Sequence, residues 1–360
     1  MKDLADLDWE TILDYLKNEQ AALLIGPGIV HIEDAPMNIA WRESIWKNFQ
    51  NKIAYNYNKD GLFLFANKIA KNNAANHVRK YLNERSPAKD SPEEEVYKKI
   101  IQIKFPLVVS INPDTYISDV AYTYGVQHRF SYFRNRSKAV EDVEEPQMAL
   151  PLFYNLCGSV NDDESIILDY EDLFRLVSTS VGSPGLPPKL QAALSKVRMF
   201  FFIGFPFEKW YTQLLLRLLC GQEESEKYSS DQQQPDDEIR DFLLNQFQLE
   251  FLEPQQSFLD ALYAKCAEKD LLRPLADSAS PAAVNIIRLI QTSKDLYAAL
   301  EALRKYTEGS EHTNEATQQM ARYNNLMEER RKGTLDSRDY FVEYNKIIDA
   351  MLQLIRNSGL

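Results

Sequence analysis

The stretch VRMFFFIGFPF, residues 197–207, decides the fold. Met199 to Ile203 is an unbroken apolar run of strand length, and Gly204 stops it. A run that short and that apolar reads as a strand buried on both faces, the kind found inside a parallel sheet. Working outward, WYTQLLLRLLC (210–220) follows as a helix. The same strand, turn and helix unit recurs along the chain. In AALLIGPG (21–28) a strand from Ala21 to Ile25 is stopped by Gly26-Pro27-Gly28. In FPLVVSINPD (105–114) a β-branched run from Leu107 to Ile111 ends at Asn112-Pro113-Asp114, and TYISDVAYTYG reads as a helix closed by Gly125. PLFYNLCGSV (151–160) is a short strand ending at Gly158, after which Asp169 caps a helix in SIILDYEDLFRLV. LEFLEP (249–254) is one more strand, with SFLDALYAKCAE as a closing helix. Alternation of this kind predicts an α/β fold, a Rossmann-like parallel sheet with helices on both faces. In such sheets ligands bind outside the carboxyl ends of the strands. Gly26, Asn112, Gly158 and Gly204 are therefore the expected rim of a pocket.

The remaining segments read less sharply. Residues 7–19 form a helix. Residues 38–85 are expected to be mostly helical, with LFLFANKIAKNN and HVRKYLNE carrying apolar residues at helical spacing. Ser91 and Pro92 then start another helix, so that about 38–100 is a helical insertion. The charged stretch before residue 150 is irregular, VGSPGLPPK (181–189) is a loop, and the polar stretch 222–238 is expected to be a mobile surface loop. From residue 281 onward the pattern is helical throughout, broken at Ser280-Pro281, Gly309 and Gly333-Thr334-Leu335-Asp336. Three to four helices make a small all-α bundle. The expected domains are 1–275 and 281–360.

Composition narrows the function classes. The 360 residues carry a net charge of −12, which provides no overall basic field for nucleic acid or an anionic membrane. The opening MKDLADLDWETILDYL lacks the basic end and apolar run of a signal peptide, and no stretch approaches the ~18 apolar residues of a membrane span. A cytoplasmic protein is expected. Its three cysteines, Cys157, Cys220 and Cys266, are far apart and contain no CxxC pair, so neither a disulfide framework nor a zinc site is expected.

The strand tips offer chemistry. Gly26-Pro27-Gly28 reads either as a cradle for a pyrophosphate or as a plain tight turn, and it lacks the GxGxxG spacing of an ordinary dinucleotide fold. Asn112 and Asp114 have the polar groups to hydrogen-bond ribose hydroxyls or a carboxamide; the alternative is an Asx turn. Cys157 has no His or Lys near it in sequence, which favours a buried small hydrophobe over a nucleophile or redox thiol.

Taken together, the four tips resemble those of the sirtuin-like family in its prokaryotic defence form. Members carry a GAGxS turn, a TNYD tip, an LHG tip and a late IGYSFSD tip. The matching segments are Gly26-Pro27-Gly28-Ile29-Val30, Ser110-Ile111-Asn112-Pro113-Asp114, Leu156-Cys157-Gly158-Ser159, and Ile203 to Lys209. The resemblance covers about residues 20–260. It implies NAD as the cofactor, with Gly26, Pro27, Gly28, Asn112, Asp114, Gly158, Ser159 and Gly204 around it. Asn112 is the catalytic candidate if the protein is active, and Cys157 stands where the family has its histidine base. The departures lie at the same rim: Pro27 and Val30 replace an alanine and a serine, Pro113 a tyrosine, Pro206 and Lys209 a serine and an aspartate. The family's deacylases carry a zinc module that is absent here. The resemblance thus implies a catalytically eroded nucleotide- or partner-binding module, or alternatively an active NAD glycohydrolase that depletes NAD during phage infection. Further on, Arg322-Tyr323-Asn324-Asn325-Leu326, Gly333-Thr334-Leu335, Tyr344-Asn345-Lys346-Ile347 and Met351-Leu352 resemble a small effector-associated domain. That resemblance implies recruitment of another defence-system protein; a lid or dimerisation bundle is the alternative, and a homo-oligomer is implied for the family.

Overall fold

The computed structural model describes every residue except 1, 33, 135–141, 183–184, 222–224, 231–234, 253–254, 277–279, 293–295, 335–336 and 358–360. Two compact units are present: Met1–Val120 with Gln127–Pro274, and Ala121–Val126 with Leu275–Leu360.

The first unit is built on a seven-stranded sheet. We number its strands β1 (Ala21–Ile25), β2 (Leu107–Ser110), β3 (Arg129–Tyr132), β4 (Leu152–Asn155), β5 (Met199–Ile203), β6 (Glu226–Ser230) and β7 (Leu249–Phe251). Their order is β7-β6-β5-β1-β2-β4-β3, and every pairing is parallel. The centre, β5-β1-β2, is the most apolar part of the chain. Leu23 lies opposite Phe201, and Leu24 opposite Val109. Alternate residues serve opposite faces. Phe200 and Phe202 join a core with Leu24, Val109 and Tyr154, while Phe201 stacks on Tyr228 and packs against the rings of Phe105, edge-on, and Phe258. A strand buried on both sides needs an unbroken apolar run, which is what makes these strands readable.

Local chemistry sets the helix starts. Ser91 Oγ accepts the Glu94 amide (3.1 Å) ahead of Pro92–Gln102. Asp169 accepts the Asp172 amide (2.9 Å) ahead of Tyr170–Val181.

Three expectations are corrected. Residues 53–65 form an antiparallel hairpin, Ile53–Tyr57 with Leu62–Phe65, between the helices Met37–Phe49 and Lys68–Asn83. Leu62 and Phe63 are buried, Leu64 is exposed, and the turn carries the Asp60-Gly61 hairpin signal. The polar stretch 222–238 holds strand β6 rather than only a loop, although 222–224 and 231–234 lie outside the described residues. Its polarity is satisfied internally: the buried Lys227 donates from Nζ to the carbonyl and hydroxyl of Ser225 (2.9 and 2.8 Å). The charged stretch before residue 150 contains the edge strand β3.

The second unit contains four helices among its described residues, Pro281–Thr292, Tyr297–Tyr306, Thr313–Lys332 and Ser337–Asn357. Ala283, Ile286, Leu300, Tyr323, Ile347 and Met351 belong to their shared core. Gly333, at φ +70°, ends the third helix with amides returning from Gly333 to Arg330 and from Thr334 to Glu329. Among the described residues of the chain, no helix is long and apolar enough to cross a membrane.

Candidate functional site

Strands β5, β1, β2 and β4 are neighbours and all parallel, so their four carboxyl ends lie side by side. The first two tips lock together through backbone. Gly26 donates to the Ile203 carbonyl (2.8 Å), Gly28 to the Gly204 carbonyl (3.0 Å), and Ile29 back to Gly26 (3.2 Å). Pro27 has no N–H. Every amide from 26 to 29 is therefore committed within the protein. A Cβ on Gly26 would overlap the Gly204 carbonyl, and one on Gly204 would overlap the Ile29 amide.

Asn112 ties the next tip to the first: its Nδ2 donates to the Gly26 carbonyl (3.1 Å), and the residue is buried. Asp114 forms an Asx turn, with Oδ1 accepting the Tyr116 amide (2.9 Å), and its carbonyl accepts Asn155 Nδ2 (2.6 Å). Its Oδ2 is buried without a partner, as are Asn155 Oδ1 and the Tyr97 hydroxyl. Burial, opposed by the Tyr116 amide and reinforced by the charge of Asp119, pushes the Asp114 carboxyl up to about 7. Between the unfolded value of 3.8 and about 7, the unfolded chain is ionised and the folded chain protonated. Stability from this group is full at the acid end of that window, falls as pH rises through it, and levels above it. Asp114→Asn keeps the Oδ1 acceptor and removes the titration. Urea unfolding at pH 5 and pH 7.5 should show the variant gaining on the parent by a few kcal/mol at the higher pH; equal pH slopes would refute the assignment.

Cys157 is half-buried, and burial pushes its thiol up to about 12 against the opposing charge of Arg42. It lines a pocket of about 50 Å³ with Asn112, Pro113, Ile166, Leu173 and Tyr211, room for a few water molecules. Gly158, at φ +87°, lies against the Ser165 backbone. Ser159 is fully buried, its hydroxyl accepting the Asn161 amide (3.2 Å).

The larger space lies beside this pocket. Pro27, Asn38, Arg42 and Pro206 line both, and beyond them opens a cleft of about 1030 Å³, at the upper end of the size of small-molecule sites. Gly28, Gly204 and Phe205 line it from the strand tips; Trp46, Tyr55 and Phe63 line it from the helix Met37–Phe49 and the hairpin. Of the residues nominated from sequence, Pro27, Gly28 and Gly204 reach the cleft, and Asn112 and Cys157 reach the small pocket. Gly26, Asp114, Gly158 and Ser159 line neither. The cleft residues that sequence reading missed, Arg42, Trp46 and Tyr55, sit on the helix and hairpin after β1; the Asp60-Gly61 pair was the available signal. Among the described residues, no group of three or more His, Cys, Asp or Glu could hold a metal ion.

Residues 106–252 match the SIR2-like domain, and residues 282–358 match Effector-associated domain 11. The chain thus carries a segment similar to the SIR2-like domain, followed by one similar to an effector-associated domain. A search of curated proteins returned no match. The SIR2-like match spans β2 to β7 with the tips at Asn112, Cys157 and Gly204; the Gly26 turn lies ahead of it. SIR2-like domains are typically NAD-related, and effector-associated domains suggest association with a protein partner. The pairing suggests a defence-type effector architecture.

Proposed function

We propose that this chain is a catalytically eroded SIR2-like module of an anti-phage defence assembly. It holds a nucleotide, NAD or a fragment of it, in the large cleft without consuming it, and its C-terminal helices recruit a partner protein. The observation that carries this reading is Cys157, standing where the resemblance places a histidine base. Cleaving NAD leaves a cation-like ribosyl centre whose attacking water or hydroxyl needs a base with pKa near ambient pH. A thiol raised to about 12 stays protonated at neutral pH. Losing such a base costs ~10²–10⁴ in rate. The size of the spaces supports the same view: the 1030 Å³ cleft admits a nucleotide, and the 50 Å³ pocket at Cys157 does not admit a sugar.

The test is purified full chain with millimolar NAD, followed by chromatography for NAD loss and by calorimetry with NAD and ADP-ribose. Binding of both with NAD left intact is expected; rapid turnover would overturn the proposal. A second reading, an active NAD glycohydrolase, draws on one observation: His31 lines the large cleft. NAD loss that disappears in both Asn112→Ala and His31→Ala would establish it.

A further inference from the structure

We propose that two side chains, Arg42 and Lys209, hold the anionic part of the cleft's ligand, a phosphate or pyrophosphate, in place of the glycine-turn amides. This rests on the nucleotide reading above and adds the group that anchors it.

The first observation is the turn itself. A glycine turn binds phosphate with free N–H groups. Here Gly26, Gly28 and Ile29 all donate inside the protein, and Pro27 has nothing to donate. An anion in this cleft needs other donors. Arg42 and Lys209 both line the cleft, and the charge of Arg42 acts on Lys209. Among the described residues, no carboxylate lies within ion-pair distance of either one. Glu43 and Glu208 line the same cleft, and Asp60 is engaged by the Tyr170 hydroxyl. Lys209 reaches the Lys59 carbonyl. Its ammonium is held below the usual range by burial and then by Arg42, with Glu208 and Asp60 opposing and Lys59 adding to the effect.

Arg42 is set up as a recognition group. Its guanidinium lies over the Trp41 ring (4.9 Å) and meets the Tyr211 hydroxyl. Its Nε is buried with no hydrogen-bond partner. Gly61, at φ +70°, leaves the space the guanidinium occupies; a Cβ there would overlap it. Two neighbouring cations with no ion-paired carboxylate among the described residues, one with a buried unpaired donor, form a site that an anion completes. The planar fork of arginine suits a phosphate bidentately. Trp46 and Tyr55, both exposed and lining the same cleft, give faces on which a base can stack.

Calorimetry on the full chain with three probes tests this: ADP-ribose, adenosine and inorganic pyrophosphate. ADP-ribose affinity should fall about tenfold or more in Arg42→Ala and in Lys209→Gln, with adenosine affinity unchanged. Arg42→Lys should fall between, keeping the charge and losing the fork. Lys209 is half-buried at the rim, so Lys209→Gln carries the test if Arg42→Ala melts early. ADP-ribose bound equally by parent and both variants overturns the anion site and leaves the nucleotide reading standing. Pyrophosphate bound in an Arg42-dependent way, with neither ADP-ribose nor adenosine bound, supports the anion site and overturns the nucleotide reading. No binding of any probe by the parent overturns both.

Discussion

Gly204→Ala should destabilise the N-terminal unit by about 3–5 kcal/mol, among the largest effects of any single methyl group in this chain. Two costs add. At φ +68° an alanine is in the left-handed region, which costs about 1–2 kcal/mol. The new Cβ would then overlap the Ile29 amide and crowd the Gly28 backbone, neither of which has a rotamer to yield. Relief requires the tips of β1 and β5 to part, which breaks the Gly28 to Gly204 hydrogen bond (3.0 Å). Gly185→Ala separates the two costs. Gly185 is also left-handed (φ +81°), but the nearest atom to its Cβ is the end of the flexible Gln191 side chain. It should cost the strain and a small shift of the Gln191 amide, which donates to the Leu186 carbonyl (2.9 Å). Urea denaturation of the two variants reads the difference, and equal losses would show that the tips are not locked.

The lock also explains how much of the site the sequence could reveal. The four tips were legible because their strands run through the middle of the sheet. Burial on both faces forces unbroken runs such as Met199–Ile203, and the chain must turn where each run ends. What such runs do not show is where the amides at the tips point. Gly26-Pro27-Gly28 has the composition of a phosphate cradle, while its donors face Ile203 and Gly204. The missed elements share a different cause. Strand β6 is Glu-Lys-Tyr-Ser-Ser, and its burial depends on hydrogen bonds such as those from Lys227 to Ser225, which hydropathy does not register. Strand β3 lies at the sheet edge, where one side needs no partner and polar residues suffice. In the hairpin, Leu62, Phe63 and Phe65 with Ile69 and Ala70 mimic helical spacing across a strand and the start of the next helix. That misreading hid the wall carrying Tyr55 and the glycine that makes room for Arg42.

Arg273→Ala should cost a further large share of stability, about 3–5 kcal/mol, from a residue outside every sequence motif. Arg273 is buried, and its guanidinium donates five hydrogen bonds to backbone carbonyls: Ile101 (3.0 Å), Ile103 (2.5 Å), Phe105 (2.8 Å), and Met148 twice (2.9 and 3.2 Å). Burial lowers its pKa to about 10, so it remains charged at neutral pH. The helix Pro92–Gln102 ends here, and the last carbonyls of a helix have no intrahelical donor and form the negative end of its dipole. The buried guanidinium satisfies the Ile101 carbonyl of the last turn and the Ile103 carbonyl of the cap, and with them those of Phe105 and Met148 outside the helix. Removing it strands carbonyls at a cost of about 1–3 kcal/mol each, reduced where water can enter. Arg273→Lys should recover only part of the loss, since one ammonium cannot span four carbonyls. Urea denaturation gives the magnitudes, and hydrogen exchange gives the location: amides of β2 should exchange faster in the alanine variant, because Ile103 and Phe105 lead directly into that strand. The same strand ends at Asn112, so a loosened start should loosen the tip that bonds to Gly26. A loss below 1 kcal/mol would show that the Arg273 contacts are incidental and that packing of β1 and β5 alone holds the tips together.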